Sequence, residues 1–307
     1  MRSPRHLASL ALLCSVPLFA QTSAYWPRFV ELLEQQDVEA RQRLLTEWQE
    51  RAPDDPELYV ACFNHYVNAA RSEVLVLNRD LPPGTEEAIV LQATDSTQGP
   101  AGYLYGGEQF EPGLMAKGFA CIDAGIAKFP QRLDMRFGRI HMLGRVGDHE
   151  KFTDDVVGAI RYGASIDYRW TWGMDEPVEN AEGFMYDAVQ GYVHELFSVG
   201  DNALLPLMAR VAEEMLIHKP DDVPNLTTLG AVHIMTGELD KGIARLERAE
   251  KLAPNDEIVI ANLAQAYERK EKPKEAIRCY ERLIEVGDED AAAYARSRIQ
   301  ALTEGKR

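Results

Sequence analysis

Histidine is the side chain best suited to acid–base chemistry near neutral pH, and six of the seven histidines lie beyond the N-terminal segment. They are His65, His141, His149, His194, His218 and His233. None shows the histidine spacing of a zinc protease, and the chain has no glycine-rich phosphate loop and no serine nucleophile elbow. His194 and Glu195 come nearest to an acid–base pair, but neighbours on a helix point about 100° apart. The sequence therefore predicts no catalytic residue, no metal site and no cofactor.

Three cysteines, Cys62, Cys121 and Cys279, match no zinc or paired-cysteine motif. One interpretation is a reactive thiol, or a disulfide that leaves one cysteine over. The sequence favours the other interpretation, in which three small side chains are buried on helices, as free cysteines usually are.

A second group of candidate residues is aromatic. Trp170 and Trp172 lie in the segment Tyr168-Arg169-Trp170-Thr171-Trp172-Gly173, and Pro177 follows closely. Two residues with one residue between them do not share a helical face, and Gly173 with Pro177 favours a loop over 168–177. Trp and Tyr are preferred anchors of binding sites, so a ligand platform is one hypothesis. The alternative, which we favour, is that the aromatic rings fill a gap between helices.

The elements that must position these residues repeat at a period of 34. The matched pairs are Leu229 and Leu263, Gly230 and Ala264, His233 and Tyr267, Gly242 and Ala276, Leu246 and Tyr280, and Ala249 and Leu283. A helical hairpin of this kind can bury its apolar face only against a neighbouring copy. Gly230 and Ala264 are expected where the helices of a hairpin approach most closely, whereas Glu268 is expected to face solvent.

This pattern resembles the tetratricopeptide family, strongly over residues 223–290. The resemblance implies that the first helices of successive hairpins line a groove that holds extended peptides or partner helices, without catalytic residues. Some members hold a peptide carboxylate with two Lys, two Asn and one Arg. Here Asn262 and Arg296 stand at two of those five positions, and Thr227, Ala231 and Ala292 at the others. Both lysines are missing, which argues against carboxylate capture, but the groove is predicted to bind through Asn262 and Arg296. The alternative is that Asn262 is solvated and Arg296 belongs to a terminal cap.

Short Val-, Ile- and Leu-rich runs interrupt the helical pattern. Residues 73–77, 88–92 and 103–105 are separated by Pro- and Gly-rich segments, which is typical of a small antiparallel meander. The predicted fold class is all-α, a tetratricopeptide-like solenoid of helical hairpins with this β insertion. The predicted divisions are a signal peptide (1–24), a degenerate repeat (25–71), the insertion (72–112), degenerate hairpins with the aromatic loop (113–222), two repeats (223–290), and a capping helix with a tail (291–307).

The N-terminus predicts export. Arg2 and Arg5 precede an apolar run over 7–20, and the chain then becomes polar, which is the order of a secretory signal peptide. The run is too short for a spanning helix, so no membrane-spanning segment is expected after cleavage near Gln21 or Tyr25. The formal charge of −16 disfavours nucleic acid as a partner.

These observations predict an exported, periplasmic or secreted, scaffold that has no enzymatic activity and binds a protein or peptide partner. An enzyme whose site is formed by the β insertion and the aromatic loop is the alternative, and a structural spacer in a larger complex is a third possibility.

Overall fold

A computed structural model describes residues 24–81, 85, 87–92 and 99–304. The predicted signal peptide, apart from Ala24, lies outside these residues, as do the segment 82–84 and the last three residues of the tail. The described residues form thirteen α-helices and three β-strands. The helices are α1 (Trp26–Glu34), α2 (Val38–Arg51), α3 (Pro56–Ala70), α4 (Pro112–Lys128), α5 (Leu133–Arg145), α6 (His149–Ser165), α7 (Ala181–Ser198), α8 (Leu205–His218), α9 (Val223–Met235), α10 (Leu239–Leu252), α11 (Glu257–Arg269), α12 (Pro273–Val286) and α13 (Glu289–Glu304). The strands are β1 (Arg71–Asn78), β2 (Ala88–Gln92) and β3 (Pro100–Phe110).

Consecutive helices pack as hairpins, and each hairpin packs on the next. The six hairpins within the described residues are α1/α2, α3/α4, α5/α6, α7/α8, α9/α10 and α11/α12, and α13 packs on α12. The all-α, tetratricopeptide-like class predicted from the repeat is confirmed. None of the helices in the described ranges is long and apolar enough to cross a membrane.

In five of these hairpins, the turn between the two helices contains a residue in the left-handed conformation. Gly147, Gly200 and Gly237 have φ of 75°, 74° and 86°, and glycine adopts this conformation without steric cost. Gln36 and Glu271 take the same place with φ of 56° and 55°. In four of the turns the next amide donates to the carbonyl five residues before it, as in Asp148 to Leu143, which closes the first helix.

The residues that define the 34-residue repeat lie between the helices. All of the repeat-packing residues are buried except His233, which is half-buried with its Nδ1 2.7 Å from Oε2 of Glu238. They are Leu229, Gly230, Leu246, Ala249, Leu263, Ala264, Tyr267, Ala276 and Tyr280. A Cβ atom added at Gly242 would lie 2.8 Å from the carbonyl oxygen of Gly230, so these two glycines allow α9 and α10 to approach closely.

The prediction that Glu268 faces solvent is wrong. Glu268 is half-buried, accepts a 2.9 Å hydrogen bond from the Tyr280 hydroxyl, and forms an ion pair with Arg298 of α13. The final helix therefore uses a charge, and not only its apolar side, to hold the last hairpin.

The β insertion is present, but it is not a meander. The strand order is β1-β3-β2, with β3 antiparallel to both neighbours. The reason is that β1 leaves the end of α3 and β3 leads into the start of α4, and these two helices pack side by side. Added Cβ atoms at Gly118 and Gly125 of α4 would lie 3.4 and 2.7 Å from the Cβ atoms of Tyr66 and Tyr59 of α3. The sheet is thus an extended turn within the second hairpin.

The favoured interpretation of the cysteines is also wrong. Cys62 of α3 and Cys121 of α4 form a disulfide, with their Cα atoms 5.9 Å apart, and Cys279 is free and buried. The close packing of α3 on α4 brings together two residues that are 59 positions apart in sequence. The disulfide therefore fixes the hairpin that carries the sheet.

We predict opposite effects of one chemical change at two helical glycines. Gly242→Ala should lower the free energy of unfolding by about 1–3 kcal/mol, because the new methyl group meets the backbone of Gly230. Gly191→Ala in α7 meets no atom within 4 Å and should raise it by about 0.5–1 kcal/mol through helix propensity. Chemical denaturation measures both changes, and equal shifts would contradict the close packing of α9 and α10.

Candidate binding surface

A fully buried arginine holds the aromatic loop (168–177). Arg132 precedes α5, and its side chain has 0% exposed surface. Its Nε and Nη2 atoms donate to the two carboxylate oxygens of Asp134 at 2.8 and 2.7 Å, and Nη1 lies 2.8 Å from Oε1 of Glu57 on α3 and 3.4 Å from Oδ1 of Asp175 in the loop. One guanidinium therefore joins α3, the start of α5 and the loop.

The charges around Arg132 compensate for its removal from water. Burial alone would lower the pKa of the guanidinium, but the hydrogen bonds and charges of Asp134 and Glu57 outweigh burial and raise that pKa. The arginine therefore stays protonated. Removing one partner of such a buried group leaves an uncompensated charge, so the cluster is sensitive to any change in its members.

Backbone hydrogen bonds extend this attachment along the loop. Leu133 N donates to Thr171 O at 2.9 Å, Met174 N donates to Oε1 of Glu57 at 2.8 Å, and Val178 N donates to Trp170 O at 3.0 Å. Trp172 N donates to Glu176 O at 2.7 Å, which closes the tip of the loop. The loop is thus bonded to two helices and to itself.

Backbone strain is concentrated in and next to the loop. Five of the seven non-glycine residues with positive φ in the described part of the chain lie between positions 167 and 180. They are Asp167, Tyr168, Met174, Asp175 and Asn180. Such conformations are costly and persist where the surroundings impose them, frequently at functional sites. The strain therefore makes this loop the leading candidate for function.

The two tryptophans of the loop have different environments. Trp170 is 2% exposed and packs in the core near Tyr162, with ring centroids 5.4 Å apart. Trp172 is 39% exposed and lies edge-on to Phe184 of α7 and Phe137 of α5, at 5.7 and 6.2 Å. Trp170 fills the gap between helices, as the favoured alternative predicted, and Trp172 alone of the pair offers a face to a ligand.

Trp172 belongs to a larger aromatic layer between two first helices. Phe137 lies 5.8 Å from Phe184 and 5.6 Å from Tyr192, and Tyr192 lies 5.5 Å from Phe152. Phe184 is 40% exposed, like Trp172, whereas Phe152 is fully buried. The layer thus runs from the core to a surface that shows two large rings side by side.

The second predicted binding region lies at the C-terminal end of the stack. Asn262 of α11 is half-buried and Arg296 of α13 is exposed. Between α11 and α13, Gln265, Glu268 and Arg269 face Tyr294 and Arg298 across a shallow depression of about 170 Å³. Asn262 and Arg269 are seven residues apart on α11 and therefore lie on the same face of that helix. Arg296 is two residues from both Tyr294 and Arg298 on α13, so its side chain points away from the depression. Their role in binding stays a prediction.

The candidate catalytic residues do not converge. His141 and His194 are exposed, and the contact of His194 is with Ser198, whose Oγ lies 3.4 Å from its Nε2. Within the described ranges no three His, Cys, Asp or Glu side chains are grouped so that they could hold a metal ion.

The loop and the sheet are attached at opposite ends of α3. The loop contacts Glu57 in the first turn of α3, and β1 starts directly after the last residue of this helix. At 1.5 Å per residue these two attachment points are roughly 20 Å apart. Their separation gives no support to an enzyme site shared by the two elements.

A charged cleft of about 340 Å³ lies between α4, α5 and α6. Arg139 spans it, with Nε 2.6 Å from Oδ1 of Asp123 and with Nη1 bonded to Asp155, while Asp154 pairs with Arg210 of α8. Burial raises the pKa of Asp155 despite the nearby Arg139. Each of the three carboxylates therefore already has an arginine partner, and these ion pairs connect four helices.

Sequence reasoning found the loop but missed Arg132. Its partners Glu57 and Asp175 lie 75 and 43 positions away, so no local pattern indicates their contact. Phe184 was also missed, because the predicted aromatic segment ended before α7. An arginine directly before a helix that starts Leu-Asp gives no sign of burial.

Among known proteins, similarity to this chain is found only in solved structures. No family model and no curated protein matches the chain. The crystal structure of MamA is similar over 53% of this chain and 84% of its own, with 16% identity and a TM-score of 0.38. The thermophilic TPR protein TTC0263 of Thermus thermophilus covers 91% of this chain and 97% of its own, with 15% identity and a TM-score of 0.29. YrrB, described as a TPR protein with an unusual peptide-binding site, covers 57% and 97%, with 13% identity and a TM-score of 0.29. Because these values are low, the functional proposal rests on the geometry of this chain alone.

We predict that Arg132→Met lowers the free energy of unfolding by about 3–5 kcal/mol, because Glu57 and Asp134 then lose their buried counter-charge. Arg210→Met is the control, since Arg210 pairs with Glu150 and Asp154 at the surface, and it should cost about 1 kcal/mol or less. Urea denaturation followed by tryptophan fluorescence measures both. Similar costs would show that the buried cluster does not hold the loop.

Proposed function

We propose that this protein is an exported helical-repeat scaffold that binds a protein or peptide partner and catalyses no reaction. The observation that carries the proposal is the exposed pair Trp172 and Phe184, which a strained loop and a buried ion cluster hold in place. Rigid aromatic side chains present a large contact area at low entropic cost, and they dominate the binding energy of many interfaces.

The position of the pair suits a partner that runs along the stack. Phe184 lies on α7 and the neighbouring Phe137 on α5, which are first helices of successive hairpins. Asn262 lies on another first helix, α11. An extended partner could therefore contact the aromatic pair at one place and the Asn262 region at another.

Two observations support export. The first 24 residues have the order of a signal peptide, with Arg2 and Arg5 before the apolar run. The disulfide between Cys62 and Cys121 is the kind of cross-link that persists in oxidising compartments and is rare in the cytosol. A periplasmic or secreted location accounts for both.

The absence of catalysis is proposed because the buried ionisable groups next to the loop bond to one another. Arg132, Glu57 and Asp134 bond to one another and to the loop. The six histidines beyond the N-terminal segment lie on six different helices. A catalytic site would need at least two ionisable groups that face a common pocket and remain available to a substrate.

We predict that Trp172→Ala weakens partner capture by at least about tenfold, because it removes an exposed anchor. The variant loses two aromatic contacts and should unfold about 1–2 kcal/mol more easily, which circular dichroism checks. The assay is affinity capture of the mature protein from its own cell envelope, with quantitative mass spectrometry of the bound proteins. The same spectra should show a chain that begins near Gln21 or Tyr25.

Two further variants make the assay decisive. Ile217→Ala changes an exposed apolar residue in the last turn of α8, which is a second helix, and should leave capture unchanged. Asn262→Ala with Arg296→Ala tests the C-terminal end of the stack. Capture that is indifferent to Trp172 but lost in this double variant would move the site to α11 and α13, and a chain that starts at Met1 in the cytoplasm would overturn export.

A further inference from the structure

The segment that carries the exposed pair Trp172 and Phe184 is rich in carboxylates. Residues 172–187 include five carboxylates and no Lys, Arg or His. All five are exposed, and they are Asp175, Glu176, Glu179, Glu182 and Asp187. Glu182 lies two residues before Phe184 on α7 and therefore on another face of that helix. We call the other four carboxylates together with Trp172 and Phe184 the acidic–aromatic surface.

Four of the carboxylates have no counter-charge. Asp175 lies 3.4 Å from Arg132, but Glu176, Glu179, Glu182 and Asp187 have no ion-pair partner among the residues that the structure describes. Lys219 lies on the other side of α7 from Phe184, with Nζ 4.1 Å from the centroid of the Tyr186 ring and 3.9 Å from Oδ1 of Asp222. The surface therefore keeps a net negative charge beside two exposed rings.

The carboxylates are adjacent to the rings in space. Glu176 accepts the backbone hydrogen bond of Trp172, which places the two residues side by side at the tip of the loop. Asp187 follows Phe184 by three positions on α7, so both lie on one face of that helix. Because the Trp172 and Phe184 rings touch, a partner that covers them approaches carboxylates on both sides.

This combination selects a partner by charge. The faces of Trp and Phe attract Lys and Arg cations, and unpaired carboxylates strengthen that attraction. An acidic segment would meet the three negative charges of Glu176, Glu179 and Asp187 without compensation. The formal charge of the whole chain, −16, adds a long-range field of the same sign, which steers cationic partners to the protein.

We infer that the acidic–aromatic surface binds a basic segment of a partner polypeptide, with one Lys or Arg over the Trp172 and Phe184 rings and others beside Glu176 and Asp187. The inference rests on the proposed function, because it names the chemistry of the partner at the same site. A basic segment with aliphatic residues between its charges fits best, since the rings also bury apolar surface.

Synthetic peptides test this inference with the mature protein. The probe is a fluorescein-labelled peptide with the repeat Gly-Lys-Leu, and its matched forms carry Gln or Glu in place of Lys. Fluorescence anisotropy should show the Lys peptide binding at least about tenfold more tightly than the Gln peptide, and no binding of the Glu peptide. The affinity for the Lys peptide should fall as salt rises from about 50 to 300 mM, because screening weakens exposed charge pairs.

A charge-matched pair of variants separates this surface from the general acidity of the protein. The site variant combines Glu176→Gln, Glu179→Gln and Asp187→Asn. The control variant combines Glu50→Gln, Glu213→Gln and Glu281→Gln, three exposed carboxylates without ion-pair partners among the described residues. We expect at least about tenfold loss of affinity in the site variant and less than about twofold in the control.

Three results would overturn the inference: equal affinity for the Lys and Gln peptides, equal losses in the two variants, or no binding of any peptide. Its failure is distinct from failure of the proposed function. If capture from the envelope depends on Trp172 while the site variant captures the same partner normally, the scaffold function stands and the charge selectivity is wrong.

Discussion

The ion cluster around Arg132 sets the geometry of the central part of the molecule. A guanidinium without exposed surface is stable only if carboxylates surround it, and these come from α3, from the start of α5 and from the aromatic loop. The three parts must therefore keep one arrangement. That arrangement presents Trp172 against Phe184 and holds Met174 and Asp175 in left-handed conformations that the loop would not adopt alone.

The stack of hairpins supplies the frame for this cluster. Each hairpin buries its apolar face on the next, so α3 and α5, which belong to successive hairpins, lie near enough for Glu57 to reach Arg132. The disulfide fixes α3 against α4, and Lys128 at the end of α4 pairs with Asp54 just before α3. The position of the aromatic pair thus depends on the hairpin α3/α4, which carries no binding residue itself.

The sequence predicted those features that local spacing encodes. Leu229 and Leu263, with their partners, placed the last two hairpins, and Gly237 forms the left-handed turn in the first of them. Gln36 and Glu271 adopt the same left-handed turn without glycine, so composition could not reveal the conformation there. The order of the strands followed from the packing of α3 on α4, and so did the disulfide. Contacts between residues 43 to 75 positions apart, as around Arg132, leave no local pattern, which is why the ion cluster was not predicted.

The central claim is that the loop is ordered in the free protein, before any partner binds. Amide hydrogen exchange of the mature protein measures this directly, at the amides of Trp172, Met174 and Val178, which donate to Glu176 O, Oε1 of Glu57 and Trp170 O. The account predicts that these three amides exchange as slowly as amides within α5, because they open only when the helical core opens. Exchange at the rate of an unstructured peptide would contradict it, and the exposed tryptophan would then be part of a mobile segment and not of a preformed surface.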